Sequence, residues 1–178
     1  YARLIEADET ATIARLKQVR AEVAEPLVAE HRGRVVKLTG DGALVEFGSA
    51  VDAVECAVAV QGAMVEFNAG REGPPIEFRI GANLGDIVIE GDDIFGDGVN
   101  VAARLESQAP RNGVLVSDGI HAQVRGKVAV EFTDAGALAL KNIAEPVRAW
   151  RWGGDGMAAV AVAAAEAEQG PSIAVLPF

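Results

Sequence analysis

The sequence predicts an α+β fold, a mainly antiparallel sheet covered on one side by helices, on three observations. Two long stretches carry apolar residues at helical spacing. Two others carry apolar, β-prone runs interrupted by Asp-Gly or Gly-Asp pairs. The two kinds alternate along the chain as helix, hairpin, helix, hairpin, an order that puts helices against a sheet of hairpins.

From Asp8 to about His31, the apolar positions Ile13, Leu16, Val19, Val23 and Leu27 recur with helical period, and Gly33 follows as a stop. The stretch "VVKLTGDGALVEF", Val35 to Phe47, reads as a hairpin, because Asp41-Gly42 tolerates the positive φ of a tight two-residue turn. Ser49 is an N-cap residue for a second helix with Val51, Val54, Val58 and Val65 on one face, closing at Asn68 and Gly70. After Pro74-Pro75, Ile76, Phe78 and Ile80 alternate, and Gly85-Asp86 can turn that strand back into a second hairpin. "DDIFGDGVNVAARLESQAP" opens as a loop, takes Asp97 as N-cap and stays helical until Pro110. "GVLVSDGIHAQV" gives a short strand and a short helix, and "AVEFTDAGALALKNIAEPVRAWRW" the last strands. Residues 153–170, small and Ala-rich, read as a linker or a loosely docked helix, and 171–178, "PSIAVLPF", as the start of a further domain.

A chain of 178 residues, half of them hydrophobic, is long enough for one domain with a sizeable core. Its 16 Lys and Arg stand against 26 Asp and Glu, a net charge of -10, which argues against binding nucleic acid or an anionic membrane through bulk charge. A phosphate ligand therefore needs locally placed basic residues. The single Cys56 forms no internal disulfide, and neither a leader nor an 18-residue apolar span occurs, so the expectation is a cytoplasmic segment without direct membrane contact. The start at Tyr1 and the apolar last residues read as a piece of a longer protein.

Asp41 has two compatible readings: an ordinary hairpin-turn residue, or a carboxylate on a stiff tip that holds a hard divalent cation with help from substrate phosphates. Asn100 and Arg104 lie four apart on the third long helix, so their side chains share one face and can act on one ligand. Arg offers a charged donor fork for phosphate oxygens, and Asn neutral donors and an acceptor for a sugar. The competing reading is a solvated face with Arg104 paired to Glu106 or Asp97. Lys37 and Asp93 look like surface charges singly; together they give a donor for an adenine ring nitrogen and an acceptor for its 6-amino group, the reverse of what guanine presents at that position. "DIFGDG" fails as a calcium loop, because Phe95 would fall at a ligand position and Arg104 where the closing Glu belongs. No phosphate-binding GxxxxGK[ST] loop or GxSxG nucleophile turn occurs. His31 and His121 are isolated and take no role, and Cys56 reads as a small core residue.

Three stretches, "KLTGDG" (Lys37 to Gly42), "DDIFGDGVNVAARLE" (Asp92 to Glu106) and "LKNIAEPVRAWRW" (Leu140 to Trp152), resemble the class III nucleotidyl cyclase catalytic domain over residues 1–152. The resemblance implies a ferredoxin-like, βαββαβ-type fold and conversion of ATP to 3′,5′-cyclic AMP and pyrophosphate with two divalent cations, Mg²⁺ or Mn²⁺. It implies that Asp41 is the second of two metal-binding aspartates. The first belongs to an opening strand upstream of "YARLIEADE" that this sequence lacks, so the chain is expected to bind metal poorly and catalyse little by itself. It further implies that Asn100 orients the ribose, Arg104 stabilises the charged phosphorus, Lys37 and Asp93 mark the ATP-using type, and Lys141 holds the β and γ phosphates. Finally, it implies a head-to-tail homodimer whose two sites each draw metal ligands from one chain and the other residues from its partner. The alternatives are a guanylate cyclase and a non-catalytic nucleotide-binding, dimerising module.

Overall fold

A computed structural model describes residues 9–39, 42–71, 73–85, 88–90, 93–154 and 172–177. In chain order the elements are α1 (Glu9–Val19), a π-helical turn (Arg20–Ala24), α2 (Glu25–Glu30), β1 (Arg34–Thr39), β2 (Gly42–Phe47), α3 (Ala50–Ala69), β3 (Arg79–Leu84), β4 (Val88–Glu90), β5 (Asp93–Phe95), α4 (Asp97–Gln108), β6 (Gly113–Ser117), α5 (Asp118–Val124), β7 (Thr133–Leu138), β8 (Val147–Gly153) and β9 (Ser172–Pro177).

The helix expected from Asp8 to His31 forms, but Pro26 divides it. Proline has no N–H to give the carbonyl four residues back, and its ring crowds that carbonyl, so the chain widens just before it. The widened turn is sealed by the N–H of Glu25 donating to Arg20 O, five residues back. Leu16, Val19, Val23, Ala24 and Val28 are buried apolar positions of this segment, and Ile13 is exposed. The helix ends with Arg32, not Gly33, in the left-handed region at φ 58°. Gly33 is required for a different reason: a Cβ there would lie 2.5 Å from the Phe47 ring. Ser49 caps α3 as expected, its Oγ accepting from Val51 N at 3.2 Å. The first half of α3 is buried all round and Val65 is exposed, so its core contact is wider than a single stripe of valines.

β1 and β2 form the expected hairpin. Thr39 pairs with Gly42, and Asp41 of the expected Asp41-Gly42 turn lies outside the described residues. The second hairpin differs from expectation. β3 does not fold back at Gly85-Asp86, because both of its edges are taken, by β6 in parallel and by β9 antiparallel. The hairpin is made instead by β4 and β5, a separate two-stranded sheet.

The main sheet has the order β1-β2-β9-β3-β6-β8-β7, antiparallel except for β3 with β6. β2 and β3 are joined through α3 and both run antiparallel to the strand between them, a split β-α-β unit of ferredoxin-like type. That central place is held by Ser172–Pro177, residues the sequence assigns to the start of a further domain. The linker expected over 153–170 lies outside the described residues from 155 onward.

Helices cover both faces rather than one. Val45, Phe47, Ile80, Ala82, Val114 and Val116 share a core with α3, α5 and the first helical segment. On the opposite face, Leu44 meets Ala102, and Leu115 meets Leu105, both leucine contacts made with α4. Strand alternation thus sends successive residues of β2 and β6 to two different cores.

Candidate active site

The face covered by α4 gathers Lys37, Asn100, Arg104 and Lys141, with the strand of Asp93 alongside. α4 begins at Asp97, one residue earlier than expected with Asp97 as N-cap. Its N-cap is Gly96, whose φ of 144° with ψ of 162° is open to glycine and strained for other residues. It ends at Gln108, with Ala109 extended ahead of Pro110. Asn100 is exposed and Arg104 half-buried on this helix. No ion pair joins Arg104 to Glu106 or Asp97 among the described residues, so the guanidinium is not spent on a neighbour of its own helix. Ser107 Oγ donates to Arg104 O at 2.8 Å and touches only its backbone.

Lys37 is exposed on β1 just past a register shift: Val35 faces Val45, whereas Lys37 faces Leu44. Such a bulge inserts one residue, here Val36, and re-aims the side chains that follow. Val36 joins the cluster of Leu44, Ala102 and Val99, fastening the hairpin to α4 one residue away from Lys37 and one from Asn100. Asp93 opens β5 opposite Glu90. β5 lies against both β1 and α4, so the strands of Lys37 and Asp93 and the helix of Asn100 and Arg104 meet at one place.

Lys141 occupies an exposed turn between β7 and β8. The turn closes with Ile143 N donating to Leu140 O at 3.1 Å. Leu140 and Ile143 pack in the cluster of Leu105, so the flanking apolar residues hold Lys141 on the α4 side of the sheet. Asp41 lies outside the described residues, between the paired Thr39 and Gly42. Among the described residues no three His, Cys, Asp or Glu side chains form a metal-holding group.

Cys56, His31 and His121 sit on the other face. Cys56 is buried, as expected, and burial, with Glu30 and Asp52 nearby, pushes its thiol up to about 12, so it is inert at neutral pH. His121 stacks on Trp150 with centroids 3.7 Å apart, and burial lowers its pKa. His31 stands 4.0 Å from the Glu55 carboxylate. The sequence reading missed Asn83, a polar residue in the apolar strand "RIGANL" that proves buried and bonded to the first turn of α4.

No helix among the described residues is long and apolar enough to cross a membrane. The family model for the adenylate and guanylate cyclase catalytic domain matches residues 2–152. A Rhizobium meliloti (strain 1021) protein named "Putative adenylate cyclase 3" is 52% identical over all of this chain, and an adenylate cyclase of Streptomyces coelicolor is 35% identical over 65% of it. The chain spans 31% and 29% of their respective lengths. The crystal structure of an adenylate/guanylate cyclase/hydrolase from Silicibacter pomeroyi superposes with a TM-score of 0.81 at 44% identity, covering 87% of this chain and 91% of that one. The adenylyl cyclase CyaB of P. aeruginosa shares the fold at a TM-score of 0.66 and 22% identity, covering 80% of this chain and 82% of its own. With the family model running through "KLTGDG", "DDIFGDGVNVAARLE" and "LKNIAEPVRAWRW", the chain belongs to the adenylate and guanylate cyclase catalytic-domain family.

Proposed function

We propose that the chain is the catalytic domain of an adenylate cyclase, converting ATP to 3′,5′-cyclic AMP and pyrophosphate in the cytoplasm. The observation that carries this reading is the packing of β5, which begins at Asp93, against β1, which holds Lys37. Two adjacent strands thereby offer a donor to an adenine ring nitrogen and an acceptor to the 6-amino group; guanine would leave both unpaired, at a cost that discriminates strongly. Two relatives named adenylate cyclases support the same choice.

In this mechanism Asn100 orients the ribose so that its 3′-oxygen faces the α-phosphorus. A bond from that oxygen to phosphorus forms while the bond to the bridging oxygen breaks, and pyrophosphate leaves. Arg104 stabilises the charge that builds on the phosphoryl oxygens, and Lys141 neutralises the β and γ phosphates. Positioning and electrostatics supply the catalysis, with no protein nucleophile. One carboxylate plus substrate phosphates is a usual way to hold Mg²⁺, and Asp41 is the carboxylate this reading uses. When held by Asp41 and the substrate phosphates, the divalent cations, Mg²⁺ or Mn²⁺, would lower the pKa of the 3′-hydroxyl and grip the triphosphate. The sites lie between two chains, Asp41 from one meeting Asn100 and Arg104 of the other.

The test measures cyclic nucleotide formed from ATP and from GTP by the full-length protein that contains this chain, by its Asp41→Ala and Arg104→Ala variants and by an equimolar mixture of the two variants. ATP is expected as the preferred substrate. Arg104→Ala should lose about 10²–10³-fold in kcat, and mixing should restore activity that neither variant has. Equal turnover of both nucleotides would end the base-reading argument, and a mixture as inactive as its components would end the shared site.

A further inference from the structure

α4 has no side-chain cap at its N-terminus. β3 holds it instead, through three residues that alternate onto one face of the strand. At the C-terminal end of the helix, Arg79 Nη1 donates to Ser107 O at 3.3 Å. In the middle, Gly81 brings sheet and helix backbones so close that a Cβ would stand 2.5 Å from Ala102 O and 2.2 Å from Glu106 N. At the N-terminal end, Asn83 is 7% exposed and its Nδ2 donates to Gly98 O at 3.1 Å. Just beyond, a Cβ on Gly85 would stand 2.9 Å from Gly98 Cα, so the chain leaving β3 also presses on the helix start. The Arg79 bond is exposed and made by a long side chain, and the Gly81 contact limits distance without fixing rotation. The buried Asn83 bond is the one that ties a particular carbonyl of the first turn to a particular place on the sheet.

We propose that Asn83 is a positioning residue for the reaction: by holding Gly98 O it sets the rotation and axial register of the first turn of α4, and with them the aim of Asn100 and Arg104. This rests on the cyclase reading of those two residues. Asn100 follows Gly98 by two positions and Arg104 by six, so rotation of the first turn swings both around the axis. A misplacement of about 1 Å in a reacting site is enough to cost about 10²-fold. Because Asn100 and Arg104 act on the ribose and on charge that develops during reaction, the loss falls on kcat more than on KM.

The variants are Asn83→Asp, which keeps the size but loses the donated hydrogen at neutral pH, and Asn83→Ala, which removes the amide without adding a charge. For both, in the full chain, kcat is expected to fall about ten- to a hundredfold while KM for ATP stays within about twofold. Amide exchange at Val99 and Asn100, whose N–H groups donate to Gly96 O, is expected to quicken while α3 and β6 exchange at the wild-type rate. Wild-type kcat in both variants overturns the proposal. So does quickened exchange across the whole sheet with activity falling in step, the mark of a merely structural residue. If the unaltered full-length protein forms no cyclic nucleotide, the cyclase reading fails, and exchange in the first turn of α4 alone decides whether Asn83 holds the helix.

Discussion

Glu55 stands on the buried side of α3, 7% exposed, with His31 Nδ1 4.0 Å from Oε2 and no hydrogen bond to Oε1. Asp52, one helical turn earlier, is taken by Arg32 at 2.7 Å. Desolvation raises the pKa of Glu55, His31 and Arg32 pull it down, Asp52 pushes it up, and the net direction is upward. A carboxyl whose folded value lies above its unfolded value contributes stability that is complete below the unfolded value, near 4.5, and is lost as the pH rises through the folded value. Glu55→Gln removes the ionisation and should melt at a higher temperature than the parent at neutral pH, the difference vanishing as the pH falls below about 4.5. A variant that melts lower at neutral pH would mean that attraction to His31 and Arg32 outweighs the desolvation. Residues of this kind were illegible in the sequence because their environment comes from other elements. Asn100 and Arg104 were legible because both sit on one helix, where spacing alone fixes a shared face.

At the scale of elements, periodicity and punctuation located the helices and the β1–β2 hairpin and failed where tertiary contacts took over. Gly85-Asp86 is an adequate turn signal, yet β3 cannot pair with its own continuation because β6 and β9 occupy both edges. Likewise, the apolar residues from Ile13 to Leu27 announced one helix, and the chain around Pro26 breaks it with a π-helical turn. Gly81 is a third case: nothing in "RIGANL" distinguishes a glycine that merely weakens a strand from one that admits a helix backbone. The atoms a Cβ would strike, Ala102 O and Glu106 N, are backbone and cannot rotate aside. Gly81→Ala must therefore push α4 away from β3, at a cost of about 1–3 kcal/mol, and displace Asn100 and Arg104 with it. Urea unfolding and a cyclase assay check this together. An unchanged midpoint would mean that the helix yields without loss, and the cradle on β3 would then be softer than its geometry implies.

For the molecule as a whole, the decisive feature is the split between β2 and β3, which no local pattern reveals because the strand that fills it is distant in sequence. β9 pairs with six residues of β2 and four of β3. Among the described residues β2 has no other strand neighbour on that side, so β9 joins the hairpin that bears Lys37 to the strand that cradles α4. At roughly 0.5–1 kcal/mol net per backbone hydrogen bond, the two ladders are worth on the order of 5 kcal/mol, comparable to the whole stability of many domains, about 5–15 kcal/mol. The domain boundaries read from the sequence, with 171–178 opening a further domain, and the placement of Ser172–Pro177 in this sheet make opposite predictions for a chain ended at Gly154. On the structural placement, truncation lowers the unfolding midpoint sharply and speeds amide exchange first in β1 and β2, which would be parted from the rest of the main sheet. If the truncated chain melts like the intact one with β1 and β2 still protected, Ser172–Pro177 is dispensable to the catalytic domain and the sequence-based boundary stands.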